Sequence, residues 1–209
     1  MTTIQRSGTV GVAGGALWAL LPVVFSLTHV EEQAPWTLAF VAVAVTYVLV
    51  GVVSLLMLLV GLSGLRRSLG EGAGRLARIG IAVSGVAVFA MFLGNGTELA
   101  TIIVSGSESD LGHSVFLIGF LALIVGSVLL GVALLRWGSV PPMRWAAVLM
   151  VAMLPLGIGL VILGGIVFPN SDAGFWAGIT VPYGLAWILL GRALAVPERA
   201  AVSEPARVS

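Results

Sequence analysis

The sequence predicts an all-α integral membrane protein with six transmembrane helices and cytoplasmic N- and C-termini. Three observations lead there. The chain of 209 residues is 59% hydrophobic and 9% charged, with mean hydropathy +1.13, whereas a soluble domain carries about 25% charged residues. Six stretches lack any Asp, Glu, Lys or Arg: 7–30, 33–65, 79–97, 111–135, 145–171 and 173–191. Each is long enough, at about 18 residues or more, to cross roughly 30 Å of hydrocarbon as a helix. Finally, the gaps between the stretches alternate in sign. Arg6, then Arg66, Arg67, Arg75 and Arg78 (with Glu71), then Arg136 and Arg144, then Arg192, Arg199 and Arg207 (with Glu198 and Glu204) occupy one set of gaps. Glu31 and Glu32, then Glu98, Glu108 and Asp110, then Asp172 occupy the other. Short cytoplasmic loops collect Arg and Lys, so the arginine set is assigned to the inside.

The first helix is expected over about 8–29. Gly11, Gly14 and Gly15 give it a small face that lets another helix approach closely, and Pro22 should kink it, because proline removes a backbone hydrogen bond and crowds the preceding turn. Its apolar run of about 20 residues exceeds that of a signal peptide and no A-x-A site follows, so it is expected to be retained. The second helix is expected over about 36–64, with Thr46, Tyr47 and Ser54 its main polar groups. The glycines of the loop after it, Gly70, Gly72 and Gly74, lack the lysine and preceding strand of a phosphate-binding loop and read as a flexible turn.

The third helix is expected over about 77–97. Twenty residues separate Arg78 from Glu98, about 30 Å at 1.5 Å per residue, which puts Glu98 at the outer boundary. Gly94-Asn95-Gly96 reads as a kink or frayed end, and residues 99–104 either extend the helix or lie along the interface. The fourth helix is expected over about 112–136 and Pro141-Pro142 as a sharp turn after it. The fifth runs over about 143–168 with Pro155 as a kink. The sixth runs over about 173–195 with a Gly174-x-x-x-Gly178 face and a kink at Pro182. Trp36 and Trp176 fall at the outer boundary and Trp137 and Trp145 at the inner one, as in an aromatic belt. Residues 1–196 therefore form one membrane domain, and 197–209 a disordered cytoplasmic tail. The shared endings of the second, fourth and sixth helices, such as Leu62-Ser63-Gly64-Leu65-Arg66 and Val132-Ala133-Leu134-Leu135-Arg136, fit either a three-hairpin duplication or the limited alphabet of membrane helices.

Composition removes several function classes. Cysteine is absent, which excludes disulfides, thiol chemistry and cysteine-ligated clusters. All ten basic residues are Arg, which fits a high-GC coding sequence and points to the plasma membrane of such a bacterium. The expected partners are the bilayer itself, with anionic headgroups on the arginine face, and other membrane subunits or a second copy; nucleic acid is not expected. No ionisable group falls near the midplane of any helix, which argues against an ion-coupled carrier, pump or voltage sensor. Ser26, Ser54, Ser84 and Ser127 have no histidine at their depth to serve as a base and are expected to bond to helix carbonyls or neighbours. No catalytic residue and no cofactor is assigned.

One constellation has metal-ligand chemistry. His29, Glu98 and His113 fall at the same outer height, with Asp110 nearby. Two imidazoles and a carboxylate can hold Zn²⁺, but no local ligand spacing supports the set, and separated interface residues are the expected arrangement. Asn95 and Tyr183 are candidates for a polar lining or for helix–helix hydrogen bonds. The expected function is that of a non-enzymatic membrane scaffold or accessory subunit. The alternative is a small permease or channel-like carrier for a neutral or lipid-like solute, moving on its proline kinks.

Overall fold

In the computed structural model, residues 1–22, 36–70, 72–106, 109–137, 141–167 and 173–196 are described. They are helical throughout, with no strand among them. The helices are α1 (Thr3–Ala19), α2 (Leu38–Leu69), α3 (Arg75–Ser105), α4 (Asp110–Arg136), α5 (Pro141–Val167) and α6 (Ala173–Ala195). By length and composition five segments are able to cross a membrane: all of α2, α3 and α4, then Pro141–Leu160 and Trp176–Ala195. Residues 23–35, which hold His29 and the rest of the first expected span, lie outside the described set, as does the 197–209 tail.

Local chemistry sets the ends. α1 begins five residues earlier than expected, because Thr2 and Gln5 form a capping box: the Thr2 side chain accepts from Gln5 N, and the Gln5 side chain accepts from Thr2 N at 2.7 Å. α1 ends at Ala19 and Leu20 forms a turn, after which Leu21 and Pro22 are again helical, so the helix is interrupted one turn before the proline, whose ring crowds the carbonyl there. Thr37 caps α2 and Ser109 caps α4, each through its hydroxyl. α2 ends at Gly70, whose φ of 58° suits a residue without a side chain. Pro141 and Pro142 do not form a separate turn. They are the first two residues of α5, where a preset φ fits and no intrahelical N–H bond is lost. Pro155 and Pro182 lie inside α5 and α6.

α3 takes the longer of the two courses expected for residues 99–104: it runs 31 residues, through Gly94-Asn95-Gly96 and on to Ser105, so Gly94-Asn95-Gly96 is not a frayed end. The added turns have something to bury against: Leu99 packs with Ala44 and Tyr47, and Ile102 with Phe40, all on α2.

The helices form a ring in chain order, every neighbour antiparallel. Gly14 of α1 faces Met57 and Leu58 of α2, while Gly8 and Gly15 face Gly191 and Gly184 of α6. Gly80, Gly94 and Gly119 bind the two arms of the α3–α4 hairpin, facing Leu130, Phe116 and Met91. Gly131 meets Ala147 across α4–α5, and Gly157 meets Gly178 across α5–α6. Trp18, Trp187, Tyr183, Phe120, Leu58 and Met91 are fully buried within the ring. The outer surface is apolar, with Leu38, Val86, Ile118, Leu121 and Ile158 among its exposed residues. This geometry gathers Arg6, Arg66, Arg67, Arg75, Arg78, Arg136, Arg144 and Arg192 at one end of the bundle.

Candidate functional site: a polar seam across α2, α3 and α4

A set of polar side chains bonded between helices, Tyr47, Asn95, Glu98 and His113, lies toward the end of the bundle away from the arginines. The seam begins in α2, whose residues Val48–Val53 form a π-helical segment between two α-helical parts, Leu38–Tyr47 and Ser54–Leu69. Ser54 N–H bonds to Leu49 O, five residues back, so the backbone ladder shifts here, as at the π-bulges that often mark functional positions. The Gly51 carbonyl accepts a hydrogen bond from Asn95 Nδ2 of α3 at 2.9 Å, and Asn95 Oδ1 accepts one from the Tyr47 hydroxyl at 3.2 Å. A Cβ at Gly51 would lie 3.2 Å from that amide nitrogen, so a glycine is what lets Asn95 come this close. Asn95 is 1% exposed, and both ends of its amide are engaged, as burial requires.

One turn further along α3, Glu98 is buried and its Oε1 lies 3.5 Å from Nδ1 of His113, a half-exposed residue in the first turn of α4. Two glycines make this pairing possible. A Cβ at Gly94 would lie 2.5 Å from Phe116 N, and one at Gly112 would lie 2.9 Å from Glu98 N. The backbones of α3 and α4 therefore touch at the point where the carboxylate and the imidazole meet. A buried carboxylate is costly unless a partner offsets it, and His113 supplies a donor or a charge.

The structure thus brings Glu98 and His113 together, whereas His29 lies outside the described residues. Among the described residues no third His, Asp, Glu or Cys joins them, and a structural zinc site takes four ligands. What the seam does chemically is tie three helices: α2 to α3 through Asn95, and α3 to α4 through Glu98 and His113.

Of the residues singled out for packing, Gly11 lies against Trp187 and Gly61, Gly14 against Met57, Gly15 against Gly184 and Trp187, and Gly178 against Gly157. The surroundings of Gly174 are outside the described set. Tyr183 is buried edge-on to Trp187, with ring centroids 6.4 Å apart. Trp36, Trp137 and Trp145 are exposed at the two ends, but Trp176 turns inward onto Phe116 and Phe120 at 5.7 and 5.3 Å. Ser54 bonds back to the Val50 carbonyl as expected. Ser84 and Ser127 do not: their hydroxyls are buried with no hydrogen-bond partner among the described residues, packed at the Gly126 crossing, where a Cβ would meet Ser84 Oγ at 2.6 Å. The sequence suggested a helix–helix bond for Asn95, since an asparagine inside an apolar helix needs a partner. It offered no sign of the π segment that presents the Gly51 carbonyl.

No family model, curated protein or solved structure matches this chain.

Proposed function

We propose that the chain is a non-enzymatic scaffold or accessory subunit of a bacterial plasma membrane, crossing it six times with both termini on the cytoplasmic side. The observation that carries this reading is the filled interior. Large side chains from α1, α2, α3, α4 and α6 (Trp18, Leu58, Met91, Phe120, Trp187) meet inside the ring, and the groove between α2 and α3 described below lies on its flank. A carrier of neutral solutes needs a path along its axis, and the sites of such proteins lie near the bilayer midplane between helices. Here that depth is occupied by glycine crossings and aromatic rings.

The arginines support the sidedness. Helix dipoles favour cations at helix C-termini only, which would account for Arg66, Arg67, Arg136 and Arg192 in last turns. They do not account for Arg6, Arg75, Arg78 and Arg144 near helix starts. A rule of membrane sidedness accounts for both sets.

The natural absence of cysteine makes the test direct. Single cysteines replacing Ser54, Ser84 or Ser127, all fully or almost fully buried, are expected to resist membrane-impermeant thiol reagents applied from either side. A cysteine in the 105–111 loop is expected to react in intact cells and one in the 66–78 loop only after lysis. Rapid labelling at Ser84→Cys or Ser127→Cys would favour the carrier reading, and reversed loop labelling would overturn the topology.

A further inference from the structure

Although α2 and α3 are consecutive, they part at the arginine end and leave a groove of about 910 Å³ between them. That is within the range of sites that hold a ligand, about 300–1,000 Å³. We propose that this groove binds one anionic phospholipid, with its phosphate between Arg66, Arg67 and Arg78 and an acyl chain along Leu62, Ile81 and Val86. The inference rests on the chain lying in a bilayer as proposed above.

Two independent features of the groove point to this occupant. The first is charge. Arg66, Arg67 and Arg78 all line the groove, and among the described residues no acidic residue lines it and no carboxylate pairs with any of the three. Forked guanidinium donors match phosphate oxygens. The second is the apolar wall that continues from the arginines along the flank of the bundle. It includes Leu59, Ala82 and Gly85, and a Cβ at Gly85 would meet nothing within 4 Å. A soluble anion would use only the arginines. A molecule with a phosphate at one end and a hydrocarbon chain at the other uses both. The groove exists because the small residues of α2 are spent elsewhere: Ser54, Gly61 and Gly64 are turned toward α1, at Gly14, Gly11 and Ser7.

The purified full chain is exchanged into mixtures of phosphatidylglycerol and phosphatidylcholine, and retained lipids are counted by native mass spectrometry. One phosphatidylglycerol per chain is expected in preference to phosphatidylcholine. Each of Arg66→Gln, Arg67→Gln and Arg78→Gln should weaken retention about fivefold, the effect of one arginine near an anionic surface. Gly85→Phe should weaken it with every charge in place, by filling the wall. The triple variant Arg6→Gln/Arg144→Gln/Arg192→Gln should retain the lipid. Equal retention of both lipids, an equal loss in the Arg6/Arg144/Arg192 control, or no effect of Gly85→Phe would overturn the site. Displacement by inorganic phosphate at matched concentration would also overturn it, by reducing the groove to an anion site. Resistance to carbonate extraction, measured on the same membranes, reports separately on whether the chain is integrated in the bilayer.

Discussion

The α3–α4 hairpin and the α2–α3 hairpin are built from similar apolar helices and short connections, yet they pack in opposite ways. In α3–α4 the backbones touch along almost their whole length, at Gly80, Gly94, Gly112, Gly119 and Gly126. In α2–α3 they meet at one end, through the Asn95 bonds and the Leu99 and Ile102 contacts, and part into a groove at the other. Adjacency in the chain is the same in both, so it is not what decides. In a bilayer the lipid tails are as apolar as leucine, and close association depends on small residues that let many atoms meet and on polar groups that find partners. α3 points Gly80 and Gly94 at α4, and α2 points Gly61 and Gly64 at α1.

The largest expected effect follows from the tight hairpin. Gly94→Ala places a methyl group 2.5 Å from Phe116 N and 2.7 Å from Gly112 O. Both are backbone atoms, so the helices themselves must move, at a cost of about 1–3 kcal/mol. Separation there also pulls Glu98 from His113. A marked fall in the unfolding midpoint in detergent is expected, and an unchanged midpoint would mean that this crossing is loose. Gly15→Leu should act similarly on α1–α6, since a Cβ there would lie 2.6 Å from Gly184 O.

The contrast also explains what could be read in advance. That the described residues are long apolar helices was legible because apolar length is a property of local sequence. So was the shared height of Glu98 and His113, which follows from counting residues along two helices. The helix does not fray at Gly94-Asn95-Gly96 because the same letters that loosen an isolated helix tighten a packed one: Gly94 admits Phe116 and Asn95 finds the Gly51 carbonyl. The extension to Ser105 depends on a surface of α2 that only the fold supplies. The early start of α1 was legible, since Thr2-x-x-Gln5 is a capping signature, but the apolar pattern that begins later drew the boundary inward.

A middle-sized effect tests the polar end of the loose hairpin. Asn95→Leu removes both bonds and leaves the Gly51 carbonyl and the Tyr47 hydroxyl without this partner. Hydrogen bonds between membrane helices average about 0.6 kcal/mol and reach about 1.7, so a loss of about 1 kcal/mol is expected. Tyr47→Phe should cost about half as much, since Asn95 keeps its bond to Gly51. Combined, the two should cost less than the sum of the single losses, because the Tyr47–Asn95 bond is counted in both. Full additivity would show that the two side chains act independently and that the seam is not one unit.

The smallest effect sharpens the comparison most, because it makes one substitution at two places in one helix. Gly85 lies nine residues before Gly94 on α3, on the wall of the open groove, with nothing within 4 Å of its missing Cβ. Gly85→Ala therefore meets no obstacle. Alanine is favoured over glycine inside a helix by roughly 0.5–1 kcal/mol, because glycine loses more backbone freedom on folding. That benefit is available in both variants and is outweighed at Gly94 by the clash with Phe116 and Gly112. The two alanines should thus move the unfolding midpoint in opposite directions, slightly up at 85 and clearly down at 94. If Gly85→Ala also lowered stability, α2 and α3 would have to approach each other there in the membrane, and the groove would be closed.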